Sequence, residues 1–226
     1  MKITWLGHSG FRIEIAGEVL LVDPWLRGNP MFDEARFDEA VEGVTHLLVS
    51  HGHFDHAANA VEISKAKGVP IGGVFELANA LGAEAGVDAA PFGLGGTISI
   101  GDVKVTLVGA RHSSSMESGY SGTEAGFMIE GEGKTIYFSG DTDVTADMGV
   151  YQALHAPAIG ILCVGGHFTM DQRRAAYACK TFFDFETVIP CHYKTFPLLA
   201  QDAEELKSAI GADKVREPEV MVPIAF

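Results

Sequence analysis

The stretch that decides the fold is THLLVSHGHFDH, residues 45–56. Its first six residues, THLLVS, have the length of a strand and an apolar centre at 47–49, which predicts a buried β-strand. His51 and His53 follow at once. If the chain stays extended there, the two imidazoles point the same way and can hold one metal ion.

The side chains in the second half of the stretch are expected to face a different direction. A helix that starts near Phe54 turns Asp55 and His56 away from the first two histidines, toward a second ion. Imidazole nitrogen and carboxylate oxygen are ligands for Zn(II), Mn(II) or Fe(II), and no thiolate is involved. A solvated loop that happens to be rich in histidine is the alternative, and the tight spacing after a buried strand argues against it.

Further residues of ligand type stand at the ends of three later predicted strands. His112 follows the strand that begins at Val103, Asp141 follows the strand 135–139, and His192 follows the strand 187–191. Side chains placed in this way belong to loops along one rim of a sheet. Taken singly, Asp141 also fits a turn residue, and the two histidines also fit satisfied polar residues of a core.

Composition narrows the class of protein. The chain has 30 acidic and 16 basic residues and a net charge of −14. A field of this sign repels phosphate backbones and anionic lipid, so nucleic acid and membrane are not expected as partners. A small-molecule substrate is expected, anionic ones included, because a metal ion can reverse the local potential. Self-association into a homo-oligomer is left open.

The cysteines and the N-terminal residues bear on the compartment. The three cysteines have no C-x-x-C spacing and do not describe a disulfide framework. No apolar segment resembles a signal peptide or a membrane span. We therefore expect a cytoplasmic protein.

The order of predicted elements indicates an α/β fold. Short strands separated by glycines fill residues 3–22, and helices alternate with strands from residue 57 onward. Phe11, Ile13 and Ile15 alternate with polar residues, whereas 20–22 is apolar throughout and predicts burial on both faces. We expect one domain over 1–226, with two mixed sheets packed together and helices on the outer faces.

These motifs together resemble the metallo-β-lactamase superfamily. The resemblance rests on H-x-H-x-D-H after an apolar strand, a later histidine, Ser-Gly-Asp-Thr at 139–142 and a late histidine. The segments WLGHSGF at 5–11, Asp23-Pro24 and 168–170 further resemble a subgroup of small metal-dependent hydrolases similar to the L-ascorbate-6-phosphate lactonases. The resemblance implies a four-layer αββα sandwich with a dinuclear site at one edge of the sheets.

The resemblance also implies a ligand set. One metal ion is held by His51, His53 and His112. The other is held by Asp55, His56 and His192, and Asp141 bridges the two. The expected cofactor is a pair of divalent ions, with Zn(II) first and Mn(II) or Fe(II) as alternatives.

Such a pair of ions implies a mechanism. It lowers the pKa of a shared water and generates hydroxide, which attacks a small ester, lactone or phosphoester. Asp55 is expected to orient the hydroxide as a catalytic residue. His167, after Gly165-Gly166, and His8, in a Gly-His-Ser-Gly turn, are the candidate catalytic proton donors, although both also fit structural histidines.

Two other functions use the same residues. A mononuclear iron thiol oxygenase can share H-x-H-x-D-H, and a non-catalytic metal-binding protein can keep the fold without turnover. The complete set of motif ligands argues against the non-catalytic protein, whereas the thiol oxygenase stays an alternative to the dinuclear hydrolase.

Overall fold

The computed structural model describes residues 1–117 and 119–226. The strands are β1 (Lys2–Trp5), β2 (Phe11–Ile15), β3 (Glu18–Val22), β4 (His46–Val49), β5 (Ile71–Val74), β6 (Ala89–Phe92), β7 (Thr97–Ile100), β8 (Val103–Gly109), β9 (Ala125–Gly131), β10 (Lys134–Phe138), β11 (Ile159–Cys163), β12 (Thr187–Cys191) and β13 (Pro223–Ala225). The helices are α1 (Phe37–Ala40), α2 (Phe54–Ala57), α3 (Ala60–Lys67), α4 (Phe75–Ala85), α5 (Met148–His155), α6 (Gln172–Phe182) and α7 (Glu204–Ile210), and a 3₁₀ turn covers Glu34–Arg36.

The strands form two mixed sheets. The first has the order β13-β1-β2-β3-β4-β5-β6, and the second has the order β12-β11-β10-β9-β8-β7. In the first sheet β1, β3 and β4 run in one direction. In the second sheet β8, β10, β11 and β12 do the same. The carboxyl ends of these strands therefore collect at one edge of each sheet.

Apolar side chains of both sheets form the main core. Ile13 and Leu20 of the first sheet lie in one buried cluster with Phe127 and Phe138 of the second. A separate cluster lies between the first sheet and its helices, where Leu47 belongs with Ile63 and Leu77. The α/β sandwich of two mixed sheets with helices is confirmed.

Local predictions agree with the strands in detail. The inward residues of β2 are buried and the polar residues between them are half-buried, while residues 20–22 of β3 are fully buried. Three elements were not predicted: the 3₁₀ turn Glu34–Arg36, the short helix α1 and the edge strand β6. The sequence of β6 is Ala-Ala-Pro-Phe, and proline in such a short run argues against a strand except at a sheet edge, which is where β6 lies.

Candidate metal centre

Three histidine nitrogens converge at the end of β4. The Nε2 atom of His51 lies 3.0 Å from Nδ1 of His53, which lies 3.3 Å from Nε2 of His112. All three ligand atoms lie within 4.8 Å of one another. His53 is extended, with φ −65° and ψ 149°, and caps α2, so the chain turns into a helix directly after it. The predicted change of direction at Phe54 is thus present.

A second group contains residues that follow strands of both sheets. Ligand atoms of His8, Asp55, His56 and His192 lie within 4.8 Å of one another. Asp55 Oδ2 is 3.8 Å from Nε2 of His192 and 3.9 Å from Nε2 of His56. The turn into α2 separates this group from the first one.

Asp141 lies between the two groups. Its Oδ2 atom is 3.5 Å from Nε2 of His112 and 3.1 Å from Nε2 of His192, and Oδ1 is 3.4 Å from Nε2 of His56. The carboxylate is buried. It follows Gly140, whose φ is 59° and where a Cβ would overlap the carbonyl oxygen of Ala125. Glycine at this position therefore allows the chain to turn the carboxylate into the centre.

Asp23, which was not predicted as a site residue, supports histidines of both groups. Its carboxylate accepts hydrogen bonds from the backbone N–H of Ser50 at 2.7 Å, from the Ser50 hydroxyl at 2.5 Å and from Nδ1 of His56 at 2.6 Å. Because the Ser50 hydroxyl donates to Asp23, its oxygen accepts from Nδ1 of His51, 3.0 Å away. In their neutral forms both histidines then carry their proton on Nδ1 and present a lone pair on Nε2 to the centre.

Unpartnered atoms test whether the centre fits metal ions. His56 Nε2 and Asp141 Oδ1 are buried, and apart from the 3.4 Å contact between them neither has a hydrogen-bond partner among the described residues. Buried polar atoms are rarely left without a partner, and each such atom needs an explanation. A cation at this position supplies one, because imidazole and carboxylate donors suit Zn(II), Mn(II) or Fe(II). The donor set therefore fits divalent metal ions.

Burial and charge shift the pKa values of these groups. Burial lowers the pKa of His51 far below its ordinary value and also lowers that of His112. Burial alone would lower the pKa of His56 too, but the carboxylates of Asp141 and Asp23 raise it well above the ordinary value. Burial opposes ionisation of Asp141, yet His192 and His56 hold its pKa well below the usual range.

The two candidate proton donors lie in different settings. His8 is buried, with Nε2 3.0 Å from Asp55 Oδ2 and Nδ1 2.8 Å from Thr195 Oγ1, and burial lowers its pKa to about 4. Its carbonyl oxygen accepts from Trp5 Nε1 and from the backbone N–H of His192, which ties the β1–β2 turn to the end of β12. His167 is exposed, and its ring packs edge-on against Phe168. The structure thus brings His8 to the cluster and leaves His167 outside it.

A cavity of about 1240 Å³ opens onto the cluster. Its inner end is lined by His53, Asp55, His112, Asp141 and His192. Ser113 and Ser115, which follow His112 in the sequence, also line it, whereas Arg111, which precedes His112, is not among its described lining residues. A small molecule can therefore reach the cluster directly.

Comparison with known proteins identifies the class. A sequence model described as the beta-lactamase superfamily domain matches residues 2–192. The chain therefore belongs to the metallo-β-lactamase superfamily, as the motifs predicted. Within it, the chain is 58% identical to a UPF0173 metal-dependent hydrolase of Dinoroseobacter shibae, and the match covers 99% of each chain. It groups with these proteins, while a likeness to ascorbate-6-phosphate lactonases stays a prediction.

Solved structures agree with this membership. Igni18, a metallo hydrolase of the archaeon Ignicoccus hospitalis, has a TM-score of 0.87 and 32% identity, and the match covers 100% of this chain and 98% of that one. A possible metal-dependent hydrolase of Veillonella parvula has a TM-score of 0.82 and 19% identity over 100% and 99% of the two chains, which shows the shared fold.

Across residues 1–117 and 119–226, every helix is too short or too polar to cross a lipid bilayer.

Proposed function

We propose that this protein is a hydrolase that works with two divalent metal ions on a small ester, lactone or phosphoester. The observation that supports the proposal most directly is that Asp141 lies between the two ligand groups. One of its oxygens is 3.5 Å from His112 in the first group and 3.1 Å from His192 in the second. A carboxylate shared by two ligand groups is suited to bridge two ions.

The proposed ligands follow the two groups. His51, His53 and His112 would hold one ion, and Asp55, His56 and His192 would hold the other. Zn(II) is the first choice for this donor set, with Mn(II) or Fe(II) as alternatives. Bound ions of this kind polarise a substrate oxygen and lower the pKa of bound water toward neutrality.

The surrounding side chains orient the reacting groups. Burial raises the pKa of Asp55, but the hydrogen bond from His8 and the charge of His56 together lower it more, so this pKa lies well below the usual range. A carboxylate of such low basicity accepts a hydrogen bond from water and orients it, but it is a poor acceptor of the proton itself. His8 is neutral near pH 7 and has both ring nitrogens engaged, so it positions Asp55. Asp23 and Ser50 fix the tautomers of His56 and His51.

Metal analysis and paired variants test this proposal. Protein purified without added metal is expected to contain close to two Zn or Mn per chain. His53→Ala and Asp141→Ala are each expected to lower hydrolysis by at least about a thousandfold while the fold is kept. His155→Ala is the matched control, because that histidine pairs with Glu130 outside the centre. Unchanged turnover in either site variant would refute the ligand assignment.

The alternative functions give other results. One iron per chain with thiol-dependent oxygen uptake would replace the hydrolase with an oxygenase. Tight metal binding without hydrolysis of any ester or phosphoester would indicate a binding protein. The cytoplasmic location, the small-molecule partner and self-association stay predictions.

A further inference from the structure

The walls of the cavity differ from its inner end. Beyond the ligand-type residues, the wall is largely apolar and comes from separate segments of the chain. The apolar residues that carry the argument are Phe54, Val61, Met116, Phe168, Phe196 and Leu198. A substrate that reaches the cluster must therefore pass along apolar side chains.

Several of these side chains are exposed to an unusual degree. Phe54 is 64% exposed, Phe168 is 53% exposed and Leu198 is 62% exposed. Large apolar side chains gathered at the mouth of a cavity, instead of scattered singly, mark a surface that a ligand covers. Covering them removes apolar area from water and favours binding.

Two aromatic side chains of the wall, Phe54 and Phe196, are supported by contacts with Trp25. Phe54 lies in the metal motif itself, between His53 and Asp55, and its ring meets Trp25 edge-on at a centroid distance of 5.5 Å. Trp25 is buried and stacks on Phe196 at 5.8 Å. Phe54 and Phe196 are thus fixed beside the cluster instead of being free to collapse into the cavity.

Charge along the cavity has one sign. Glu84 and Glu117 line it and are exposed, and neither lysine nor arginine occurs among its described lining residues. A phosphate monoester is usually held by arginine, lysine or clustered backbone N–H groups in addition to metal. Here it would meet two carboxylates and a protein of net charge −14.

We propose that the substrate is an uncharged carboxylic ester, open or cyclic, whose apolar part packs against Phe54, Phe168 and Leu198. This rests on the proposed hydrolase function and narrows its substrate class. The oxygen of water adds to the acyl carbon, the acyl C–O bond breaks, and the alcohol oxygen takes up a proton. The products are a carboxylic acid and an alcohol, or one hydroxy acid when the ester is a lactone.

A chain-length series tests the proposal. The metal-loaded protein is assayed with p-nitrophenyl acetate, butyrate and hexanoate, and with p-nitrophenyl phosphate. We expect kcat/KM to rise by about tenfold from acetate to hexanoate, because the added methylenes are partly covered by the wall. The phosphate is expected to be the poorest substrate. Equal rates along the series, or faster hydrolysis of the phosphate than of the hexanoate, would overturn the proposal.

Matched phenylalanine variants locate the effect. Phe54→Ala is expected to reduce kcat/KM for the hexanoate by about tenfold and for the acetate by less than about threefold. Phe75→Ala is the control, because Phe75 is 62% exposed on α4 and does not line the cavity. Because Phe54 adjoins two proposed ligands, metal content is measured for each variant. A Phe54→Ala protein with full metal content that keeps the chain-length preference would contradict the proposal.

A binding measurement separates this proposal from the hydrolase function. 3-Octanone is an uncharged ketone with the shape of methyl hexanoate and cannot be hydrolysed, and hexyl phosphate is its anionic counterpart. Binding is followed by tryptophan fluorescence, since Trp25 contacts Phe54 and Phe196. Preference for the ketone supports the substrate class, and preference for the phosphate overturns it. If the ketone binds and no ester of the panel is hydrolysed, the hydrolase function fails while the apolar site stands.

Discussion

Replacing Asp23 with asparagine tests how the centre is held together. The wild-type carboxylate accepts from His56 Nδ1 at 2.6 Å and from the Ser50 hydroxyl at 2.5 Å. Asparagine keeps nearly the same shape, but its NH₂ group donates and cannot accept. If the NH₂ group takes the place of Oδ2, it faces both His56 Nδ1 and the Ser50 hydroxyl. The His56 ring must then carry its proton on Nε2, the atom proposed to bind metal, and the serine loses the acceptor that fixes the tautomer of His51. If the NH₂ group takes the place of Oδ1, it faces the backbone N–H of Ser50, so two donors meet next to His51.

The size of the effect follows from these contacts. A buried hydrogen bond to a charged group contributes about 1.5–3 kcal/mol. Loss of a partner that orients a metal-binding histidine weakens metal affinity by about 10–100-fold. That range corresponds to about 1.4–2.8 kcal/mol, in agreement with the loss of one such bond. We therefore expect at least one of the two metal ions to bind about 10–100-fold more weakly to Asp23→Asn.

The assay is competition between the protein and a chromophoric chelator for Zn(II), which resolves two stepwise affinities. Ser50→Ala removes the link to His51 and leaves the His56–Asp23 contact, so it should weaken one of the two affinities. Asp38→Asn, an exposed aspartate on α1, is the matched control and should change neither. A folded Asp23→Asn protein with both affinities within about twofold of wild type would refute the reasoning.

Two further predictions concern pH and backbone shape. In the metal-free protein Asp141 and Asp23 raise the pKa of His56, although burial alone would lower it. A metal ion binds only the neutral imidazole, so metal binding releases a proton from His56. Metal affinity should therefore rise with pH, by up to about tenfold per pH unit below the pKa of His56. Calorimetry in buffers of different ionisation enthalpy measures both the affinity and the proton release. A metal affinity that stays constant from about pH 6 to pH 8 would contradict this prediction. Gly140→Ala should lower the free energy of unfolding by more than about 2 kcal/mol in urea titrations. The new Cβ would overlap the carbonyl oxygen of Ala125, and alanine also loses stability at the positive φ of this position. Gly133→Ala, with φ 74° and open space around a Cβ, should lose about 1 kcal/mol, and equal losses in both variants would rule out the steric explanation.

The ligand cluster was readable from the sequence because its signals are local. Residues 51–56 carry four of the predicted ligands, and their directions follow from one strand that ends where one helix begins. His112, Asp141 and His192 could be added because each follows a predicted strand. The parallel directions of β4, β8, β10 and β12 within their sheets then bring these ends to one edge. The seven side chains do lie together, while their roles as ligands stay a proposal.

Asp23 could not be found in the same way. Its partner Ser50 is 27 residues away, and the contact depends on how β3 pairs with β4. The parallel register sets Val22 opposite Leu48, so the residue after β3 comes beside the end of β4. Asp23 and Ser50 are therefore close because β3 and β4 are neighbours in the sheet, and the order of strands in a sheet cannot be read from the local sequence. A buried strand that ends in an aspartate was the available signal, and the sequence offered nothing to pair it with.

The cavity shows why the fold does not determine the substrate. The ligands sit at strand ends, where pairing within the sheets fixes their positions. The apolar walls come from α2, α3 and the segments around residues 116, 168 and 196–198, which lie next to those ends. Changes in such segments alter the cavity without altering the sheets, and for this reason one fold serves many substrates. A protein with 19% identity can share nearly the whole fold, as the Veillonella parvula protein does. The substrate must therefore be argued from the side chains of this chain, and here those are phenylalanine, leucine and glutamate instead of arginine and lysine.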